Sequence, residues 1–189
     1  MSSTAQLPTT LTGLSGTYAI DPSHSSIGFV ARHAVVTKVR GNFNEIEGTA
    51  QINGADLASS SVQVTLKTAS VDTRSEQRDG HLRSGDFFDA DTYPTITFVS
   101  TAVAAVSDDE VEVTGDLTIK DVTREIAFTL TYTGSAVDPF GNTRAGFEGS
   151  VSVNRKDFGL TWNAALETGG VLVSEKVTLE FDISAIKQA

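Results

Sequence analysis

Three histidines, His24, His33 and His81, are the side chains of this sequence best suited to hold a metal ion or to transfer a proton near neutral pH. They lie far apart in the chain and show neither His-x-His nor His-x-x-Glu-His spacing. Histidines on separate strands could still converge inside a barrel, but we predict no metal site. The chain has no cysteine, which excludes disulfides, thiol catalysis and cysteine metal ligands.

Motifs of the common catalytic folds are missing. The sequence has no Gly-x-Ser-x-Gly elbow, no phosphate-binding loop and no dinucleotide-binding fingerprint. Carboxylates are plentiful, but Asp21, Asp72, Asp86 and Asp157 occupy positions typical of turn and cap residues. No pair is singled out for acid–base work, and we predict that the protein is not an enzyme.

Arg74, Arg78 and Arg83 form a basic cluster in an otherwise acidic chain. Arginine suits the recognition of phosphate or carboxylate groups. The interpretation that we favour is structural, with the arginines paired to nearby aspartates so that they hold this segment in shape. The aspartates concerned are Asp72, Asp79 and Asp86.

Residues 81–98 are the most informative stretch of the chain. Phe87 and Phe88 stand side by side, and a strand with one apolar face begins at Pro94. A short apolar turn tied to a strand predicts a lid hung on a β-barrel. Because the two phenylalanines are adjacent, we expect one to face a cavity and the other to pack under the lid.

Residues 72–89 lack the alternation found elsewhere and predict a short helical segment. Thr73 and Glu76 have the spacing of a capping box. Gly80 and Gly85 argue against a long helix, so we expect one or two helical turns.

Apolar and polar residues alternate along most of the chain, which predicts antiparallel strands with one dry face and one wet face. Turn-forming pairs such as Asn53-Gly54 and Gly169-Gly170 separate the runs and favour a β-barrel or a β-sandwich. The clearest runs are Ile27, Phe29 and Ala31; Ile126, Phe128 and Leu130; and Val177, Leu179 and Phe181.

The inward face mixes phenylalanines with small residues such as Gly48, Ala50 and Gly149. An eight-stranded barrel is just wide enough to fill itself with side chains or to hold one small ligand. Periodicity alone leaves both interiors open.

A chain of 189 residues suits one domain. Residues 1–16 are rich in Ser, Thr, Pro and Gly, and we interpret them as a flexible N-terminal arm before a single domain at 17–187. The arm has no basic start and no apolar core of signal-peptide length, so we expect a cytoplasmic location.

The formal net charge of -10 makes nucleic acid and anionic membrane surfaces poor partners for the protein as a whole. No segment approaches the roughly 20 apolar residues of a membrane-spanning helix, so we expect no integral membrane segment.

Several motifs, in order along nearly the whole chain, resemble those of the YceI-like family. The most distinctive is His-Leu-Arg-Ser-Gly-Asp-Phe-Phe-Asp at 81–89, followed by Tyr93-Pro94. The others are Asp-Pro-Ser-His-Ser at 21–25, Gly-Asn-Phe at 41–43, Gly-Asp-Leu-Thr-Ile at 115–119 with Val-Thr-Arg at 122–124, and Arg155 with Asp-Phe-Gly at 157–159.

The resemblance implies an all-β fold, an eight-stranded antiparallel lipocalin-like barrel with an apolar tunnel for a long polyisoprenoid, quinone or fatty-acyl chain. It implies binding and carriage of the lipid, no cofactor besides such a lipid, and a homodimer. Many members are periplasmic and bear signal peptides, from which this chain departs. Asp121, in a hairpin where the family often has glycine, is a smaller departure.

We therefore predict a lipid-binding carrier. The alternative is an enzyme acting on a lipid-like substrate, with a cavity histidine beside a carboxylate as acid or base. A third interpretation is a structural or stress-response partner whose cavity is incidental. The predicted ligand-binding residues are Phe29, His33, Phe43, Leu66, Leu82, Phe87, Phe88, Ile96, Phe98, Leu117, Phe128, Phe147, Trp162 and Phe181.

Overall fold

Antiparallel strands make up most of the computed structural model, which describes residues 6–189. Residues 1–5, the start of the predicted arm, lie outside the described residues. Within 6–189 no helix has the length and apolar composition needed to cross a membrane. The elements are Ser15–Ile20 (β1), Ser26–His33 (β2), Thr37–Phe43 (β3), Ile46–Asn53 (β4), Ser61–Lys67 (β5), Val71–Asp72 (β6), Glu76–Arg83 (α1), Thr95–Ala105 (β7), Glu110–Ile119 (β8), Val122–Val137 (β9), Thr143–Asn154 (β10) and Val173–Lys187 (β11).

Eight of these strands form a closed barrel in the order β1-β4-β5-β7-β8-β9-β10-β11. The barrel closes because β1 also pairs with the end of β11, where Tyr18 lies opposite Lys187 and Ile20 opposite Ala185. Because the barrel closes, each of the eight strands has a hydrogen-bonded neighbour on both sides. The predicted eight-stranded antiparallel barrel is confirmed.

The β2–β3 hairpin continues the sheet beyond this barrel. The 15-residue β11 is long enough to pair with β1 through its end and with β2 through residues 173–182. Strand β3 pairs with β2, and the two-residue β6 pairs with the end of β3. The hairpin therefore projects from the end of the barrel at which β11 begins.

Alternation along the strands places apolar residues inward, as the sequence predicts. In β8, Val111, Val113 and Leu117 are buried, while Glu112 is exposed. Gly115 interrupts this inward row because the ring of Phe98 occupies the space of a side chain: a Cβ at Gly115 would lie 2.5 Å from the Phe98 Cζ.

The N-terminal segment closes the other end of the barrel. Leu11 and Leu14 are 2% and 0% exposed, and the Leu11 amide donates to the Asp108 carbonyl at 3.0 Å. The Tyr132 hydroxyl donates to the Pro8 carbonyl at 2.8 Å. The prediction of a flexible arm is therefore wrong for residues 11–14, because the polar composition of the segment conceals two leucines that reach the core.

Truncation of Leu14 tests this role of the N-terminal segment. Leu14→Ala should lower the free energy of unfolding by about 2–5 kcal/mol, since a fully buried leucine leaves a cavity when truncated. Thr9→Ala, an exposed site in the same segment, should change it by less than about 0.5 kcal/mol. Denaturant unfolding measures both, and equal small effects would mean that the segment does not contribute to the core.

An ion-pair network joins the β9–β10 hairpin to the turn that follows β1. Arg144 donates through Nη1 to Asp21 Oδ2 at 2.6 Å and through Nε to Asp138 Oδ2 at 2.7 Å. The Arg144 guanidinium, helped by the Ser23 hydroxyl, holds the pKa of Asp21 well below its ordinary value. Hydrogen bonds from Asn142, and then from Arg144, do the same for the pKa of Asp138.

This network makes stability depend on pH in a defined direction. Both aspartates have lowered pKa values in the folded chain, so their contribution is complete above the ordinary aspartate pKa of about 4 and is lost as the pH falls below it. Arg144→Gln should lower the free energy of unfolding at pH 7. The difference from the wild type should shrink between about pH 4 and pH 2 in denaturant melts. A difference that does not vary with pH would contradict this origin.

Candidate functional site

The barrel encloses an apolar cavity of about 280 Å³. Its walls are the inward-facing side chains of the strands, and residues of the α1 region and of 158–160 lie at one end. A single water needs roughly 10–15 Å³ of such space, so the interior has room for far more than isolated waters. The interior is thus a cavity and not a filled core.

Several inward-facing side chains keep accessible surface because they border this cavity. Phe128, Phe147 and Phe181 are only half-buried, although they point into the barrel. The Phe128 ring lies 5.3 Å from that of Phe98 and 5.0 Å from that of Phe181 between ring centres, so the aromatic rings form a continuous wall. An apolar ligand would cover this surface.

Helix α1 begins with Ser75 as its N-cap. The Ser75 hydroxyl oxygen accepts from the Arg78 amide at 3.4 Å. Thr73 instead donates through its amide and its hydroxyl to the buried carboxylate of Asp79, at 2.9 and 2.5 Å. The predicted capping box of Thr73 and Glu76 is therefore wrong, because the Asp79 carboxylate engages Thr73 ahead of the helix.

The arginines near α1 tie the helix to the chain that precedes it. Arg78 donates through Nε to the Thr73 hydroxyl at 2.7 Å. Arg83 donates to the Ala69 carbonyl and to the Glu76 carboxylate, both at 3.1 Å. The structural role that we favoured for these two arginines agrees with these contacts, but the aspartate partners predicted for them are wrong.

Phe87 and Phe88 both line the cavity, so the prediction that only one of them would do so is wrong. They follow the end of α1 in an irregular turn, where adjacent side chains can share a direction. Phe88 packs edge-on against Phe43 at 5.7 Å, and Phe87 packs against Trp162 at 5.4 Å. Phe87 thus joins the α1 region to the loop before β11, and the two together cover this end of the cavity.

Twelve of the fourteen predicted ligand-binding residues line the cavity. Their contact with a ligand stays a prediction. They are Phe29, Phe43, Leu66, Leu82, Phe87, Phe88, Ile96, Phe98, Leu117, Phe128, Phe147 and Phe181.

The other two, His33 and Trp162, lie outside the lining. His33 is exposed at the end of β2, where it lies opposite Thr37 on β3 and Val173 on β11. Trp162 is half-buried in the loop before β11 and packs edge-on against His81 at 4.6 Å. Alternation gives the face of a strand residue such as His33 but not its depth along the barrel, and it does not apply to Trp162, which lies in the loop before β11. The structure places neither residue in the cavity lining.

The sequence missed lining residues from irregular segments. Leu11, Leu57, Phe158 and Leu160 all face the cavity, and none belongs to a strand. Only their apolar character, without any period, could have indicated them. Aliphatic strand residues such as Leu179 also line the cavity. The alternation places them on the inward face, but the prediction of ligand-binding residues omitted them.

Arg155 is the one charged residue in the lining formed by residues 6–189. It is 5% exposed, and burial lowers the pKa of its guanidinium. It donates to the backbone carbonyls of Leu160 at 2.6 Å, Trp162 at 2.9 Å and Ser174 at 2.8 Å. Arg155 therefore anchors the loop between β10 and β11 at the covered end of the cavity.

The enzyme alternative required a histidine inside the cavity beside a carboxylate. Along residues 6–189 the lining contains neither histidine nor Asp or Glu. His24 pairs with Asp21 on the exterior at 2.8 Å, and His81 pairs with Asp86 at 2.9 Å on the outer side of the covering segment. In the same described range, no group of three or more His, Asp or Glu residues is arranged to hold a metal ion.

Comparison with known sequences gives one family. A model described as the YceI-like domain matches residues 18–185. A UPF0312 protein of Staphylococcus aureus is 36% identical over 164 residues, which cover 86% of this chain and 93% of the relative. A UPF0312 protein of Vibrio cholerae is 40% identical over 145 residues, which cover 76% of this chain and 77% of the relative.

Solved structures share the barrel. Burkholderia cenocepacia BcnA is 25% identical with a TM-score of 0.77, covering 87% of this chain and 98% of that one. The Campylobacter jejuni YCEI protein is 27% identical with a TM-score of 0.71, covering 84% and 90%. A polyisoprenoid-binding domain from Saccharophagus degradans has the same fold at 18% identity, with a TM-score of 0.70 and coverage of 90% and 98%.

Proposed function

The chain belongs to the YceI-like family, and on that premise we propose that it binds and carries a long apolar lipid inside its barrel. The observation that supports this proposal most strongly is the apolar cavity of about 280 Å³. Apolar chains leave water for such a space with a gain of about 0.8 kcal/mol per buried CH₂ group. Affinity would thus come from the length of the chain, and selectivity among lipids would be loose.

The shape of the barrel favours an extended ligand. The ten-residue β8 spans about 33 Å along its axis at the usual rise per residue. A polyisoprenoid, an isoprenoid quinone or a fatty-acyl chain has this form. The fold shared with the polyisoprenoid-binding domain of Saccharophagus degradans supports the first of these classes.

Binding without turnover agrees with the chemistry of the lining. Acid–base catalysis needs a titratable group within hydrogen-bond reach of the reacting atom. Of the titratable residues in the lining formed by residues 6–189, Tyr18 has its pKa raised by burial, and Arg155 already donates to backbone carbonyls of the neighbouring loop and of β11. We therefore propose a carrier whose cavity protects a lipid from water.

A cytoplasmic location and a homodimeric state stay predictions. The first comes from the composition of the N-terminal residues, and the second comes from the family resemblance alone.

A tryptophan at Ala50 tests the cavity as the binding site. Ala50 lines the cavity, whereas its neighbour Thr49 faces outward on the same strand. Native mass spectrometry of the purified wild type should show a bound lipid that denaturation releases intact. Ala50→Trp should lose most of that lipid because the indole fills its space, and Thr49→Trp should keep it.

Extra volume in a packed interior costs about 1–3 kcal/mol, so a tryptophan that unfolds the barrel would also lower the lipid content. Ala50→Leu, which adds less volume, is the control for this effect. The leucine variant should reduce lipid content less than the tryptophan variant while melting like the wild type. Full lipid retention by a stably folded Ala50→Trp would contradict the assigned site. Absence of any lipid in the wild type, together with no uptake of a fluorescent fatty acid or quinone analogue, would contradict the proposed function.

Phe87 should slow the release of the lipid because it joins the α1 region to Trp162 across the end of the cavity. An aromatic pair contributes about 0.5–1.5 kcal/mol, so Phe87→Ala should speed release of a fluorescent fatty acid about two- to tenfold in stopped-flow measurements. Phe140→Ala, at a residue that is 88% exposed, should leave the release rate unchanged. A variant that loses stability but keeps the wild-type rate would mean that the segment is a fixed plug.

A further inference from the structure

The β2–β3 hairpin is a basic segment in an acidic protein. Between Asp21 and Glu45 the sequence has no Asp or Glu, yet it contains Arg32, Lys38 and Arg40. All three cationic side chains belong to exposed residues of the hairpin. The net charge of -10 therefore does not describe this surface.

The cations of the hairpin crowd one another. Arg32 lies directly opposite Lys38 in the β2–β3 register, and neither side chain forms a salt bridge with any residue of 6–189. Arg40 pairs with Glu180 at 3.0 Å, but both side chains stay largely exposed. Like charges directly opposite each other destabilise a strand pair. The hairpin thus carries a local electrostatic cost that an anionic partner would remove.

The tip of the hairpin, residues 34–36, presents apolar side chains to solvent. Val35 and Val36 are 68% and 76% exposed. The Val36 amide donates to the His33 carbonyl and closes a turn in which Ala34 and Val35 have φ values of 50° and 65°. Such turns prefer Asn and Gly, and a β-branched residue at positive φ is strained. The chain therefore holds a valine outward in an unfavourable conformation.

A second segment extends the apolar tip. The Ala34 amide donates to the Leu172 carbonyl at 2.7 Å, and the neighbouring Val171 is 43% exposed. Val173, which follows, lines the cavity and lies opposite His33 in the sheet. The exposed valines therefore stand at the end of the barrel where the cavity is covered by the α1 region.

We propose that the β2–β3 hairpin tip docks on the surface of an anionic phospholipid bilayer. Val35 and Val36 enter the headgroup region, and Arg32 and Lys38 lie against the headgroup phosphates. An apolar tip flanked by cations matches the two forces that hold proteins at such a surface, apolar burial and attraction to anionic lipid. Charges beyond about 8 Å are largely screened at physiological salt, so the local charge outweighs the net charge at contact.

The net charge predicts that anionic membranes are poor partners for the whole protein, but that prediction does not apply to the β2–β3 hairpin. The inference goes beyond lipid carriage and does not depend on it, because the hairpin can dock whether or not the cavity is loaded. Docking would bring the covered end of the cavity next to the bilayer.

Co-flotation with vesicles tests the proposal. The full chain should float with phosphatidylcholine vesicles that contain phosphatidylglycerol, and much less with phosphatidylcholine alone. Each cation near an anionic surface contributes about a fivefold gain in affinity, so the double variant Arg32→Gln, Lys38→Gln should bind the anionic vesicles about 25-fold more weakly. Its melting temperature should equal or exceed that of the wild type, because the substitution removes a pair of opposed like charges.

The apolar contribution has a matched control at the other end of the barrel. Val35→Ser with Val36→Ser should also weaken flotation, while Phe140→Ser should not, although Phe140 is 88% exposed in the β9–β10 turn beside Asp138.

The proposal is overturned if the wild type does not float, if the Arg32 and Lys38 variant floats as well as the wild type, or if Phe140→Ser weakens flotation as much as the valine variant does. It is also overturned if the valine variant loses self-association in sedimentation while its flotation is unchanged, since the tip would then join two copies of this chain.

Discussion

Hydrogen bonding between β1 and the end of β11 creates the interior on which the rest of the structure depends. An eight-stranded sheet that stayed open would expose both an edge and its apolar face. Closed, it surrounds a space that the inward side chains must fill or leave free. Here they leave part of it free, because Ala50 is small and the phenylalanines pack against one another along the wall. The cavity is therefore a consequence of closure combined with side-chain size.

Closure of the wall leaves two ends, which the chain covers by different means. At one end the N-terminal segment places Leu11 and Leu14 in the core and hydrogen-bonds to the turn that precedes β8. At the other end the α1 region meets the loop before β11 through Phe87 and Trp162, and Arg155 holds that loop by its backbone carbonyls. In the second cover, the two segments meet through the side chains of Phe87 and Trp162.

Charge is distributed unevenly over this framework. Acidic side chains at Asp21 and Asp138 share the Arg144 guanidinium and stabilise the turn after β1 and the β9–β10 hairpin. The β2–β3 hairpin instead carries opposed cations and exposed valines beside the covered end of the cavity. A chain whose average charge is strongly negative thus has one surface suited to a negative partner. Together with an apolar interior, this arrangement supports both the proposed carriage of lipid and the proposed docking at a membrane.

The sequence by itself determined the strands, their inward faces and the short helix, because alternation and turn residues act over a few neighbouring positions. It also identified the phenylalanines of the cavity wall that lie on strands, such as Phe98 and Phe128. Only the tertiary structure decided that the interior is open and that Leu11 and Leu14 belong to the core. The same holds for His33, which is exposed outside the cavity lining although it shares the parity of inward residues, and for Thr73, which bonds to Asp79. These features depend on depth along the barrel or on contacts between distant segments. The local period of the chain encodes neither the depth nor such contacts.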